Sequence, residues 1–164
     1  MKFVVRKAKI KDIPEITKMW KQFMKDHDDT VIPKDPRMKP QLKRPQTAHN
    51  TFSKFLAKNI RSKDATVFVL DCSGTLIGYA IGFKKKTPPV FKMKEIGYLS
   101  DIYIKRGYRS KGLGSKMIDE LREWCKNKGL KYLSLIVYEK NPRAQKLYSR
   151  KGFYFHSREM RMKV

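Results

Sequence analysis

The sequence predicts an α/β chain, of the α+β kind in which strands and helices do not strictly alternate. Three observations carry this. Short segments with apolar residues at every second position are interleaved with segments whose apolar residues recur every three to four. Gly, Pro, Asn and Ser punctuate the boundaries. A glycine-containing loop joins one such strand directly to one such helix between Asp101 and Ser115. The order that emerges is β-α-α-β-β-β-α-β-α-β-β, about seven strands and about four helices. A chain of 164 residues with 40% hydrophobic content has the size of a single domain, residues 1–164, and can bury roughly two thirds of its surface on folding.

Residues 3–9 read as an opening strand. Asp12-Ile-Pro-Glu15 has the form of a capping box, with Asp12 as cap and Glu15 reaching back, and the stripe Ile13, Ile16, Trp20, Phe23 predicts a helix that fades at 26–29. Pro33, Pro36, Pro40 and Pro45 make 30–47 a long irregular loop. Phe52, Phe55, Leu56 and Ile60 define a second helix near 48–61. Segments 66–71 and 75–83 flank a Gly-containing turn and read as a hairpin, and Lys84-Lys-Lys-Thr-Pro-Pro89 ends it. A strand over 96–105 follows, then a helix striped by Leu113, Met117, Leu121 and Trp124, which Gly129 terminates in a left-handed conformation. A strand over 132–138 leads to Asn141-Pro142, an N-cap and first-turn proline, and Gly152 ends the resulting short helix. Strands over 153–156 and 158–163 close the chain.

The loop carries Arg109, Gly112 and Gly114 at the spacing Arg-x-x-Gly-x-Gly. Between a strand and a helix this is a diphosphate cradle: the glycines let a ligand approach the backbone, and the helix start offers unpaired N–H groups and the positive end of the dipole. A Walker loop would need Lys and Ser/Thr where Leu113 and Gly114 stand, and a dinucleotide fingerprint would need Gly at Met117. A second block, Asn141-x-x-Ala144-x-x-x-Tyr148-x-x-x-Gly152-Phe153, follows about forty residues after the strand.

With both blocks the chain resembles the GCN5-related N-acetyltransferase (GNAT) superfamily. The resemblance implies a mixed central sheet splayed between strands 4 and 5, with acetyl-CoA entering the split. It assigns the phosphates to backbone N–H groups of Ser110, Lys111, Gly112, Leu113, Gly114 and Ser115, with added charge from Arg109 and Lys111. The carbonyl and pantetheine arm go to main-chain groups of Ile102, Tyr103 and Ile104, and the pantetheine amides to Asn141, with Ala144 on the same helix. Tyr148 matches the family tyrosine near the sulfur that serves as general acid. Asp101 matches an acidic position near the site, although Ser100 stands where many relatives place a basic glutamate. The alternatives for the base are Asp101 through water, Glu95, or no strong base. His27, Tyr138 and Glu139 border the acceptor side.

Thirty-nine Lys and Arg against 15 Asp and Glu give a net charge of +24, which points to an anion such as a coenzyme A derivative and to an acidic rather than a polyamine acceptor. The expected acceptor is a primary amine: a protein N-terminus or lysine, or a small amine. The competing reading is a basic module that binds nucleic acid or acidic protein on a degenerate, inactive fold. Nucleic acid is the less favoured partner, because the basic residues match no reading motif, and a homodimer is compatible with the chain. No apolar run approaches the ~18 residues of a membrane span, so a cytoplasmic protein with no membrane partner is expected. Cys72 and Cys125 match neither a metal nor a disulfide pattern, and no metal is expected.

Overall fold

The computed structural model describes residues 3–164. Met1 and Lys2, the first residues of the expected single domain, lie outside the described residues. Five strands form one mixed sheet in the order β1-β2-β3-β4-β5, with β1 Phe3–Lys7, β2 Ala65–Cys72, β3 Thr75–Lys86, β4 Glu95–Ile104 and β5 Leu133–Leu135. The first four are antiparallel neighbours, and β5 runs parallel to β4. Helices α1 (Ile13–Val31), α2 (Met38–Gln41), α3 (Ala48–Arg61), α4 (Leu113–Asn127) and α5 (Pro142–Arg150) complete the element order.

The sheet divides two apolar cores. On one face Ile16 and Met19 of α1 and Phe52 and Leu56 of α3 pack on Val67, Val69, Tyr79, Ile81 and Tyr103. On the other, Leu113, Met117, Ile118, Leu121 and Trp124 of α4 pack on Phe68, Leu70, Ala80 and Leu99. Alternation along β2 and β3 supplies both faces, so these strands are almost continuously buried and apolar.

Ser100 is the pivot of the site. The register pairs Ile81 with Asp101 and Gly82 with Leu99, so Ser100 is an extra residue in β4. Before this bulge Tyr98 meets Phe83 on the α3 side, and after it Tyr103 meets Phe23 of α1. Pairing of β5 with β4 stops at Leu99↔Leu135. From Ser100 to Ile104 the β4 edge therefore has no strand partner on that side, which is the expected split between strands 4 and 5.

Several expectations need correction. Neither strand expected over 153–163 forms: β5 offers a ladder of three residues, and Tyr154, Phe155, Met160 and Met162 stay exposed although their spacing is strand-like. The sheet has five strands rather than seven. For the same reason, the strand expected over 132–138 shrinks to Leu133–Leu135. Asp12 makes no side-chain cap to α1; its carboxylate accepts from Lys9 N at 2.7 Å and from Arg6 at 2.8 and 3.1 Å, while Glu15 pairs with Lys105 at 2.7 Å. The first helix runs on to Val31, which is fully buried, and the loop after it contains the short α2. β3 extends to Lys86, because Lys84 is neutralised by Asp64 at 3.3 Å and Glu95 at 3.5 Å.

Candidate active site

The cradle is built by the chain's need to turn from β4 into α4. Ser110 and Gly112 both adopt left-handed φ, 64° and 73°, around Lys111. The first helical bond of α4 runs from Lys116 N–H to Gly112 C=O at 3.2 Å, and no side chain caps the helix. The N–H groups of Leu113, Gly114 and Ser115 thus lack helical acceptors, as the first turn of a helix dictates. A Cβ on Gly114 would lie 3.4 Å from Leu147 of α5. The loop is a concave set of donors that suits a diphosphate.

An open pocket of about 460 Å³ adjoins the loop, lined by Asp26, Thr30, Arg106, Arg109, Ser110 and Arg143. Three guanidiniums face a single carboxylate there. Asp26, 9% exposed, accepts from Gln22 at 2.7 Å, from Arg106 at 2.6 and 3.1 Å, and from Arg109 at 2.5 Å. Burial alone would push this carboxyl up, but the hydrogen bonds from Arg106, Gln22 and Arg109 outweigh it and hold the group at about 2. Arg109 also donates Nε to the Ile104 carbonyl at 2.7 Å and lies over the Tyr103 ring. Its first task in the structure is to tie the loop to α1 and β4. Ile104 O is already bound, and Lys111 rests beside Tyr108.

Across the split, Asn141 caps α5 by accepting from Ala144 N at 3.3 Å. Tyr148 lies about two turns of α5 further on, edge-on to Phe153, and burial with the nearby Asp101 charge pushes its phenol up to about 12. Asp101 itself is raised by burial, against a 2.7 Å hydrogen bond with Ser100 Oγ. Its charge also reaches Tyr79 and Tyr98, whose phenols burial raises first. Asp101 and Tyr148, both partly exposed, therefore lie near enough at the head of the split for the carboxylate's charge to act on the phenol. His27 and Tyr138 meet in a T-shaped contact at 4.5 Å between ring centroids. Glu139 is exposed beside Arg158 at 3.9 Å, and Glu95 pairs with Lys84.

Sequence reasoning overlooked Asp26, Arg106, Arg143 and Tyr98. Asp26 had a signal: it continues the Ile16–Trp20–Phe23 face at helical spacing, and an acid on a buried face requires a paired cation. Arg143 had only its place in the first turn after Asn141.

The model of the acetyltransferase (GNAT) family matches residues 20–153. The D-amino-acid N-acetyltransferase HPA3 of Saccharomyces cerevisiae is 26% identical over 152 residues, 93% of this chain and 85% of the relative. Bos taurus thialysine N-epsilon-acetyltransferase is 46% identical over 55 residues, 34% of this chain and 32% of the relative. Among solved structures, a Clostridium acetobutylicum predicted acetyltransferase with acetyl-CoA superposes with a TM-score of 0.79 at 16% identity, covering 99% of this chain and 96% of the other. The aminoglycoside N-acetyltransferase AAC(6')-Iy with a bisubstrate analogue gives 0.73 at 14% identity, covering 100% and 99%. The chain belongs to the acetyltransferase (GNAT) family. It is an acetyl-CoA-dependent N-acetyltransferase, and no group of His, Cys, Asp or Glu that could hold a metal ion occurs among the described residues. Among the described residues, no helix is long and apolar enough to cross a membrane.

Proposed function

We propose that the enzyme acetylates a small, polar primary amine by direct attack within a ternary complex. The observation that carries this is the nearness of Asp101 to Tyr148 at the head of the split, a carboxylate and a phenol whose proton affinities are both raised by burial. In this reading backbone N–H groups of Ser110 to Ser115 hold the diphosphate, with Arg106, Lys111 and Arg143 supplying charge. The free edge of β4 at Ile102 and Tyr103 takes the pantetheine arm as an added strand would. Asn141 fixes the start of α5 and bonds the arm's amides.

Asp101 then takes a proton from the incoming ammonium, directly or through water. The neutral nitrogen forms its bond to the thioester carbon, the C–S bond breaks, Tyr148 delivers its proton to the departing thiolate, and the second proton that the nitrogen loses in becoming the amide returns to the Tyr148 phenolate. A phenol at about 12 keeps its proton at neutral pH, which a general acid requires. A carboxylate raised by burial is a stronger base than a solvated one, and this compensates for Ser100 at the usual glutamate position.

For the acceptor, the relatives' names supply a D-amino acid, a thialysine and, among structural neighbours, an aminoglycoside. All are compact amines with further polar groups, and they favour a small acceptor over a protein amine. The test is an acceptor screen at fixed acetyl-CoA that reports free thiol across amino acids, amino alcohols, polyamines, aminoglycosides and peptides. Turnover confined to peptides would replace the small-amine reading with a protein-acetylating one.

A further inference from the structure

His27 carries an anomaly that the mechanism leaves unused. Its side chain is 11% exposed, and its Nδ1 lies 3.4 Å from Asp28 Oδ1. Asp28 is in turn clamped by both terminal nitrogens of Arg44, at 2.7 and 3.1 Å. Burial of Asp28 is opposed by the hydrogen bonds from Arg44 and His27, which keep it below the ordinary carboxylate range and ionised. An ionised carboxylate can only accept, so Nδ1 carries a ring hydrogen, and in the neutral form of the imidazole Nε2 presents a lone pair. That Nε2 is buried and has no partner. A buried polar atom left unpaired is rare in native proteins and calls for a missing partner. The charged or titratable groups around the ring are Asp28 on its own helix, Arg44 behind it and Tyr138 from the turn after β5.

The place of His27 says what that partner is. Tyr138, from the wall beyond the split, packs on the ring, and Phe23, one turn earlier on α1, packs on Tyr103 of β4 on the near wall. His27 therefore stands between the two walls on the α1 side, and it shares no hydrogen bond with Asp101, where the reacting nitrogen is held. A ligand that satisfies Nε2 does so with a part remote from that nitrogen.

We propose that His27 Nε2 is a specificity point, which accepts a hydrogen bond from a second donor group, an O–H or N–H, carried by the acceptor amine away from the nitrogen that is acetylated. This rests on the acetyl-transfer reading, and it narrows the acceptor to bifunctional amines. Asp28 and Arg44 act as positioning residues that fix the tautomer.

The test compares ω-hydroxyalkylamines with their O-methyl ethers, which keep length and oxygen but cannot donate. Wild-type enzyme should favour the alcohol by about tenfold in kcat/KM, the worth of one well-made hydrogen bond, mostly through KM. His27→Leu should abolish the preference, and His27→Gln, whose amide oxygen can accept, should restore part of it. Independently of turnover, the 15N signal of the unprotonated His27 nitrogen in the coenzyme A complex should move on adding the alcohol and not the ether, with His27→Leu assigning the signal. Equal preference in wild type and His27→Leu, or a nitrogen signal unmoved by either compound, overturns the proposal. Loss of the acetyl-transfer reading would look different: no thiol release with any amine, while the nitrogen signal still distinguishes alcohol from ether.

Discussion

The two ends of the sheet are built to different standards. β3 pairs with β4 from Lys86↔Glu95 to Gly78↔Ile104, and β2 and β3 are buried on both faces between α4 and the α1–α3 pair. Beyond α4, β5 has three residues, none fully buried, and α5 has no buried residue at all. Acetyl transfer needs a cleft that admits a long flexible cofactor, and a cleft cannot be lined on both sides by close-packed core. The antiparallel half supplies the stability, and the thin parallel half supplies a wall that ligand completes. The difference teaches where folding free energy and function separate in this chain.

Leu70→Ala, in the fully buried middle of β2, should cost about 2–5 kcal/mol, read by denaturant unfolding. A comparable loss from Leu147→Ala on half-buried α5 would erase the contrast between the halves. Tyr148→Phe should leave stability nearly intact while kcat falls roughly ten- to a thousandfold with little change in acetyl-CoA affinity. A near-normal rate would return Tyr148 to simple packing.

Asp26→Asn tests the link between the halves, because it unties Arg106 and Arg109 from α1. Its carboxyl is lowered on folding, so its contribution is present above the ordinary carboxylate range and lost as pH falls toward 2. The variant should lose roughly 2 kcal/mol at neutral pH and lose part of the thermal shift given by acetyl-CoA; a stable variant with a full shift would show the cluster to be ornamental. Gly112→Val is a sharper local test. At φ of 73° a β-branched residue is strained whatever the space, so the cofactor's thermal shift should vanish while the fold survives.

The smallest effect runs the other way. Asp101 is raised by burial, so its ionisation is a charge held against desolvation, and stability falls as pH rises through its folded pKa. Asp101→Asn should melt slightly higher than wild type at neutral pH, yet lose kcat/KM there, with activity recovering toward the acceptor's own amine pKa. An activity loss uniform in pH would make Asp101 a positioning group.

Most of the antiparallel half was legible because its signals are local. The apolar runs of β2 and β3 and the Gly-containing turn between them follow from a few adjacent residues, as do, outside that half, the left-handed Gly129 and the Asn141-Pro142 cap. The cradle was legible because Gly112 and Gly114 answer a steric need that few residues meet. Pairing partners were not, and 153–163 shows why: alternation in Met160 and Met162 specifies a strand only if an edge is available, and β5 supplies too short a one. The ion pairs were likewise hidden, since Asp26 finds Arg109 across 83 positions of sequence. The bulge at Ser100 left a trace only as a serine in the place of a glutamate.

Asp26, His27 and Asp28 are consecutive, yet they meet Arg109, Tyr138 and Arg44 respectively. A single helical turn thus keeps two anchoring residues apart from the one proposed to discriminate. On that proposal, replacing residue 27 alone would alter which amine is welcomed while its neighbours hold the wall still, so acceptor preference in such a chain would diverge by one codon without disturbing how acetyl-CoA is held.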